Sequence, residues 1–347
     1  MKSLYRGIIA LILVSAILLL SDLQNRGRTS GRKGSDSLKR TVSGKVKLAL
    51  VHYVDSPNSE DCEKGIRKAL EENNLKENEN YTMKVFNAQG DISTLNSISQ
   101  SIASEKWDLV FSLSTPSIQL LTKKLPGQKI VFTNVADPLI AGLGKSFDDH
   151  LPDVTGISTM SDFSGLLKLS GILKPGMKLV GTVYTPSEIN SVAFKDFLVK
   201  AAKEKGIEVI AAPANSATEV MDAANSLVSR NIDAFCQISD NLVGSSGSSI
   251  IKVSYDNKIP CFGFVASQFS LGAVAVCSRD YIQAGYEAGE MGVEVLAGKS
   301  PGQIPFRYVT MTHYRVNREA AAFFGLSIPE NLAQVFPAVE IIDKLNK

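Results

Sequence analysis

The residues best suited to chemistry sit where short apolar runs give way to helical patterns. Ser114-Thr115-Pro116 follows the run WDLVFSLS and opens a helix. Hydroxyls and unpaired N–H groups at a helix N-terminus attract an anionic group such as a carboxylate, and proline suits the first turn. The same residues also read as a plain helix cap, and the two roles are compatible. Asp240, with Asn241 beside it, follows DAFCQIS, where a carboxylate either pairs with a cation or caps the next helix. In YTPSEINS, residues 184–191, Ser187 reads as a cap, while Glu188, Asn190 and Ser191 are placed to face a cleft. Asn134 and Asp137 end a further run in NVADPL, although Asp before Pro also marks a turn. Asn87 and Gln89 lie in FNAQGD, and Tyr53 and Tyr184 are candidates for an aromatic wall in a chain with nine Tyr and fifteen Phe.

Catalysis has no such support. The three His, at 52, 150 and 313, lie in unrelated contexts, and no His-x-Glu, Gly-x-Ser-x-Gly or Walker pattern occurs. GSSGSS at 244–249 lacks the Lys of a phosphate loop and reads as a helix start or a close helix contact. No CxxC or Cys/His spacing suggests zinc, and neither metal nor cofactor is expected. Of the four Cys, three (Cys236, Cys261 and Cys277) sit in apolar runs, so small buried hydrophobes are a better reading than disulfides.

The elements that must position these residues alternate in kind. Nine β-branched or apolar runs, at 46–54, 81–88, 107–114, 128–135, 178–185, 207–212, 233–239, 259–265 and 272–278, are separated mostly by amphipathic stretches. Nearly continuous apolarity over five or six residues marks strands covered on both faces, and helices between them imply right-handed crossovers and parallel sheets. The class is α/β. Nine strands are too many for one mononucleotide-binding sheet, and the turn-rich passage 134–162 divides them. The economical architecture is two doubly wound, Rossmann-like lobes with a ligand cleft where the strands' carboxyl ends face each other. The segments after residue 266 recross between lobes, which predicts a hinge of more than one strand. The expected division is residues 46–157 plus about 267–308 for the first lobe and 158–266 plus about 309–347 for the second.

Charge separates the body from an N-terminal arm. The 347 residues carry a net charge of +2, but residues 1–47 hold ten Lys/Arg against Asp22 and Asp36, leaving −6 for the remainder. An acidic body argues against nucleic-acid binding. Lys2 and Arg6 precede the run IIALILVSAILLL at 8–20, a charged n-region and an h-region too short for an ordinary membrane span. Residues 1–22 therefore read as a signal peptide or a membrane anchor, and residues 23–45, rich in Ser, Gly, Arg and Lys, as a flexible basic linker. No small-x-small cleavage site follows the run. The basic residues after it outnumber those before it, which taken alone favours a cytoplasmic C-terminal side. The expectation is an extracytoplasmic, membrane-attached protein.

Several strings resemble, in order, the ABC-transporter substrate-binding proteins of the tryptophan/tyrosine type. They include DSPNSEDCEKGIRKAL near the start, FNAQGD, SLSTPSIQ, VFTNVADPLIAGL and VTGIS, then ILKPGMKLVGTVYTPSEINS, ISDN, DYIQAGYEAGEMGVEVLAGKSPGQIP and VNREAAAFFGLSIP. The likeness spans roughly Val46 to Pro329. Two departures stand out: ASQFSLGAVAV carries Gln268 where such proteins have an acidic loop, and no lipid-bearing Cys follows the apolar run. The resemblance implies a type I periplasmic-binding-protein fold and a receptor that hands a small solute, often an aromatic amino acid, to a membrane permease. An amino acid is a zwitterion. Its site needs donors for the carboxylate, for which Ser114 and Thr115 are candidates, an acid for the ammonium, for which Asp240 is the candidate, and an apolar wall such as Tyr184. Asn190, Asn134, Asp137 and Asn87 complete the expected ligand-binding set. A membrane-anchored sensory domain that reports solute without transport is the alternative.

Overall fold

The computed structural model describes residues 44–343. The expected signal or anchor at 1–22 and nearly all of the linker lie outside them. Along the chain, β1 (Val46–His52) leads to α1 (Pro57–Glu72), β2 (Tyr81–Asn87) to α2 (Ile92–Ala103), and β3 (Leu109–Leu113) to α3 (Thr115–Lys124). Strands β4 (Ile130–Val135) and β5 (Val154–Ser158) complete this series. A second begins with α4 (Phe163–Leu173), β6 (Leu179–Tyr184), α5 (Ile189–Lys203), β7 (Glu208–Pro213), α6 (Glu219–Val228) and β8 (Ala234–Gln237). It continues through α7 (Asn241–Ser245), α8 (Gly247–Asp256), β9 (Cys261–Gly263), α9 (Ala266–Leu271) and β10 (Ala275–Arg279). Then come α10 (Tyr281–Leu296), β11 (Arg307–Tyr308), β12 (Thr312–Asn317), α11 (Arg318–Phe323), α12 (Leu332–Val335) and β13 (Val339–Ile342).

These strands form two sheets, ordered β11-β5-β4-β3-β1-β2 and β13-β12-β10-β9-β8-β6-β7. Every pairing is parallel except β10 with β12. The order β2-β1-β3-β4-β5 in one sheet is repeated as β7-β6-β8-β9-β10 in the other, so each lobe has its switch of winding direction at its first strand. Alternation explains why the strands read as unbroken apolar runs. Leu48 and Leu50 of β1 enter one core while Ala49 and Val51 enter the core on the opposite face, and all four are fully buried. Cys62, Cys236, Cys261 and Cys277 are free and buried in these layers. The GSSGSS stretch forms the junction of α7 and α8.

The chain passes between the sheets three times: after β5, between β10 and α10, and between β11 and β12. The second passage comes later than the sequence suggests. Residues 267–279 stay with the second lobe, because β10 pairs with β9 at Ala275–Phe262 and is held on its other side by β12. Strand β5, inside the passage expected to be turns, escapes notice because VTGIS is short and carries Thr, Gly and Ser. Its Gly156 lies flat against Phe132, where a Cβ would come within 2.3 Å of that residue's carbonyl oxygen. Arg279 fastens the passages together: its Nε donates to the Met160 carbonyl at 2.6 Å in the first, and another guanidinium N–H donates to Thr312 Oγ1 in the third.

Helix α10 returns to the first lobe and packs along α1. The contact runs through glycines: a Cβ on Gly285 would stand 2.0 Å from the Cys62 carbonyl oxygen, and one on Gly65 equally close to that of Ile282. Gly285→Ala must force the helices apart and should cost at least about 2 kcal/mol in urea unfolding. Gly171→Ala on α4, whose methyl meets nothing within 4 Å, should instead gain up to about 1 kcal/mol.

Candidate functional site

The carboxyl ends of the two sheets enclose a polar cavity, and both walls are built at the switch points, where neighbouring strands diverge and leave a crevice. In the first lobe the crevice lies between β1 and β3. Ser56, Pro57 and Asn58 at the start of α1 line it together with Thr115 at the start of α3. Ser56 caps α1 reciprocally with Ser59, and Pro57 occupies the first turn. Helix α3 has no side-chain cap, so its first N–H groups are left without a capping acceptor. Asn134 and Ala136 from the end of β4, and Thr159 just after β5, extend this wall.

Backbone strain accumulates here. Ser114 adopts φ +80° and ψ 151°, a region otherwise nearly confined to glycine, and Asn134 on the adjacent strand has φ +55°. The two are linked, with Asn134 Nδ2 donating to Ser114 Oγ at 3.2 Å. Asn tolerates the left-handed region, so the strain falls on Ser114, held by the surrounding sheet beside the cavity-lining Asn134.

The second wall comes from the crevice between β6 and β8. Asn190 and Phe194 of α5 face the cavity, joined by Ile238, Ser239, Asp240 and Asn241 after β8 and by Val265 and Ser267 after β9. Asp240 is fully occupied. Oδ1 accepts from Val243 N at 2.8 Å and Thr185 Oγ1 at 3.0 Å, while Oδ2 accepts from Thr185 N at 3.0 Å and from Ser191 Oγ. Four donors exhaust a carboxylate's acceptor positions. The side chain thus caps α7 and ties the β6 turn to β8 while lining the cavity.

Glu188 differs. It is 7% exposed and its Oε2 accepts from Asn190 Nδ2 at 3.1 Å and Asn241 Nδ2 at 2.6 Å. Burial, and then the nearby Asp240 carboxylate, push its carboxyl up to about 7 in spite of these two amides and the Asn241 backbone N–H. Glu188 also lines an adjoining slot of about 180 Å³ with Tyr53, Ile92, Pro116, Leu120 and Ile189. Across that slot Tyr53 donates its hydroxyl to the Gly90 carbonyl at 2.8 Å. Its phenol is pushed up to about 12, first by burial and then by Glu188, Asp91 and Asp240.

Of the expected residues, Thr115, Asn134, Asn190 and Asp240 come together in the cavity, and Ser114 lies directly behind Asn134. Three do not join them. The half-buried ring of Tyr184 packs on the second-lobe core beneath Lys195, whose Nζ lies 5.3 Å from its centre. Asp137 Oδ1 accepts from Leu139 N at 2.7 Å, the Asx turn that Asp-Pro foretold. Asn87 bridges Asp55 and the Gln89 amide at the sheet edge. Ser187 does not cap α5, which starts at Ile189 after an uncapped Glu188. Phe194 and the Ser56–Asn58 turn went unnoticed, although both carried signals. Phe194 follows Asn190 by one helical turn, and Ser-Pro-Asn after β1 parallels Ser-Thr-Pro after β3. Gln268 supports the turn after β9, its Oε1 accepting from Phe264 N at 2.9 Å.

Two doubly wound lobes, three connecting passages and a polar cleft at paired switch points define a ligand-binding protein of the type I periplasmic-binding-protein fold. The chain belongs to the ABC transporter substrate binding protein family, whose model matches residues 47–339. A tyrosine-binding protein of Clostridioides difficile strain R20291 is 36% identical over 312 residues, 89% of either chain. Among solved structures, a Streptococcus pneumonia ABC domain in complex with L-Trp superposes with a TM-score of 0.81 at 24% identity. The ligand-free, open structure of a Clostridium difficile substrate-binding protein with adhesive properties gives 0.66 at 32%. Each comparison covers 86% of this chain and 99% of the other. The family is one of substrate-binding proteins, not of enzymes.

Four hydrogen bonds converging on Asp240 give it a structural role. Asp240→Ala should lower stability by about 3 kcal/mol in denaturant unfolding, and a loss under about 0.5 kcal/mol would refute that role.

Proposed function

We propose that the protein is the extracytoplasmic receptor of an ABC importer and that it closes around an aromatic amino acid and presents it to a membrane permease. The observation that carries this reading is the opposite polarity of the two cleft walls. On the first lobe, the N-termini of α1 and α3 offer Thr115 and free backbone N–H groups, which suit a carboxylate. On the second lobe, Asn190 presents a buried carbonyl oxygen without a hydrogen-bond partner, and Glu188 stands behind it. Phe194, Ile238 and Val265 supply apolar surface for a side chain, the part for which Tyr184 was expected.

A ligand held by both walls contacts all its partners only in the closed state, so binding shifts the population towards closure. The tighter superposition on the tryptophan complex than on the open, ligand-free structure supports a closed arrangement, and the tyrosine-binding relative supports the ligand class. Membrane attachment through the apolar run at 8–20 fits this location. That run lies outside the described residues, among which no helix is long and apolar enough to cross a membrane.

Thermal unfolding of the full-length protein with each of the twenty amino acids tests the ligand. Tyrosine or tryptophan at a hundred times its Kd should stabilise the protein by about 2.7 kcal/mol, a rise of roughly 4–5 °C. No rise with any amino acid would refute the reading. Thr115→Ala and Asn190→Ala should each weaken binding about tenfold or more, whereas Asp137→Ala and Asn87→Ala should leave the affinity within about twofold.

A further inference from the structure

Three consecutive residues at the second passage, 279–281, each hold a different part of the hinge. Arg279 binds the Met160 carbonyl in the first passage and Thr312 at the third. Asp280 caps α10 by accepting from Gln283 N at 2.8 Å, and its Oδ2 lies 3.0 Å from His313 Nε2, just beyond the third passage. Tyr281, 5% exposed, seats its ring in the first-lobe core, and its phenol shares hydrogen bonds with the side chains of Ser239 and Thr159. Both partners line the cavity, Thr159 from the first passage and Ser239 from the second-lobe wall. Tyr281 stands behind them, outside the lining.

We infer that Tyr281 is a positioning residue that latches the closed cleft: its bond to Ser239 joins the lobes behind the ligand and sets affinity without touching it. This rests on the reading of closure above and names a residue that stabilises the closed state. The two partners of the phenol move differently. Thr159 stays with the first lobe, because its N–H donates to the Val135 carbonyl of β4 at 2.8 Å and its Oγ1 donates to the same oxygen at 3.3 Å. Ser239 belongs to the second lobe, directly before Asp240, which caps α7 and accepts from Thr185 N after β6. Tyr281 cannot follow Ser239 when the lobes part, since α10 is seated on α1 at Gly65 and Gly285. The Thr159 bond therefore persists through the motion, and the Ser239 bond belongs to the closed state.

Such a latch has a distinct signature. A buried phenol needs a partner for its hydroxyl, and Thr159 supplies one in either state, so opening leaves no orphaned group at Tyr281. Ser239 is half-buried and turns to water when the cleft opens. Burial pushes the phenol up to about 12, so its proton stays in place across the neutral range. The bond contributes the modest net value of one intramolecular hydrogen bond, which biases the balance of open and closed states without locking it. Affinity scales with the population of the closed state, so losing the bond lowers it by one factor for every ligand that the cleft takes. A residue in contact with the ligand would discriminate among ligands instead.

Calorimetric titration of the full-length protein with L-tyrosine and with L-tryptophan tests the latch. Tyr281→Phe keeps the ring in the core and removes the hydroxyl, and it should weaken both ligands by one shared factor of roughly 3- to 10-fold. Ser239→Ala removes the same bond from the other lobe and should lose about the same factor. The double variant should bind within about twofold of either single one, because one bond is lost only once. Ser239→Ala leaves the first-lobe core untouched, so its equal loss for both ligands decides the matter if Tyr281→Phe fails to fold. Losses under about twofold, losses that differ between the ligands by more than about threefold, or losses that multiply in the double variant would overturn the inference while leaving the amino-acid reading intact. Wild type binding neither ligand would overturn both.

Discussion

The glycine-lined crossing of α1 and α10 is the constraint on which the cleft depends. Helix α1 delivers Ser56, Pro57 and Asn58 to the cavity, and α10 begins at the second passage between the lobes. Their backbones meet at Gly65 and Gly285, where one side-chain carbon on either would overlap a carbonyl oxygen. Contact this close fixes α1 along its length and in rotation, because close-packed interiors transmit small displacements instead of absorbing them. The same crossing anchors the first residue of α10, Tyr281, in the first-lobe core, two residues after the Arg279 that gathers the three passages. Wall and hinge thus share one rigid reference.

From that reference the site follows by symmetry of winding. Each lobe turns its direction of winding between its first and third strands, and each crevice so formed is bordered by two helix N-termini. Four helix starts would make both walls attractive to anions if nothing modified them. In the second lobe Asp240 and Glu188 cancel that tendency, one at the start of α7 and the other at the start of α5. Two similar folds thereby acquire opposite polarity, which is what a zwitterion bridging them requires.

How much of this was legible in the sequence depends on the scale of the signal. Seven of the nine expected strands announced themselves because strands buried on both faces must be apolar throughout, the edge strands β2 and β7 being the exceptions, and Ser-Thr-Pro and Asp-Asn marked helix starts at strand ends. The second passage was misplaced because GAVAVCS reads the same in either sheet, and only its pairing with Phe262 and the β12 ladder decides between them. Tyr184 was expected in the wall because it ends a strand, but the strand's alternation turns its ring to the core instead of the cleft. Phe194 was passed over although it lies one helical turn beyond Asn190, since nothing local tells a cavity-facing phenylalanine from a core one. Strain at Ser114 is invisible to propensity by its nature, because the residue type contradicts the conformation that its neighbours impose.

The sharpest of these contrasts concerns the two acids of the second wall. Sequence favours Asp240, which sits at the more recognisable motif and carries the same charge as Glu188. Structure separates them by counting donors. Asp240 receives two backbone amides and two hydroxyls, so its charge is compensated within the lobe. Glu188 receives the side-chain amides of Asn190 and Asn241 and the Asn241 backbone N–H, yet burial, and then Asp240, raise its carboxyl to about 7. A carboxylate whose donors offset its burial ties the fold together, and one whose donors do not is pushed towards its neutral form. The same reasoning accounts for closure. Bringing the lobes together around Glu188 favours its protonated form, so closure of the empty cleft is linked to proton uptake.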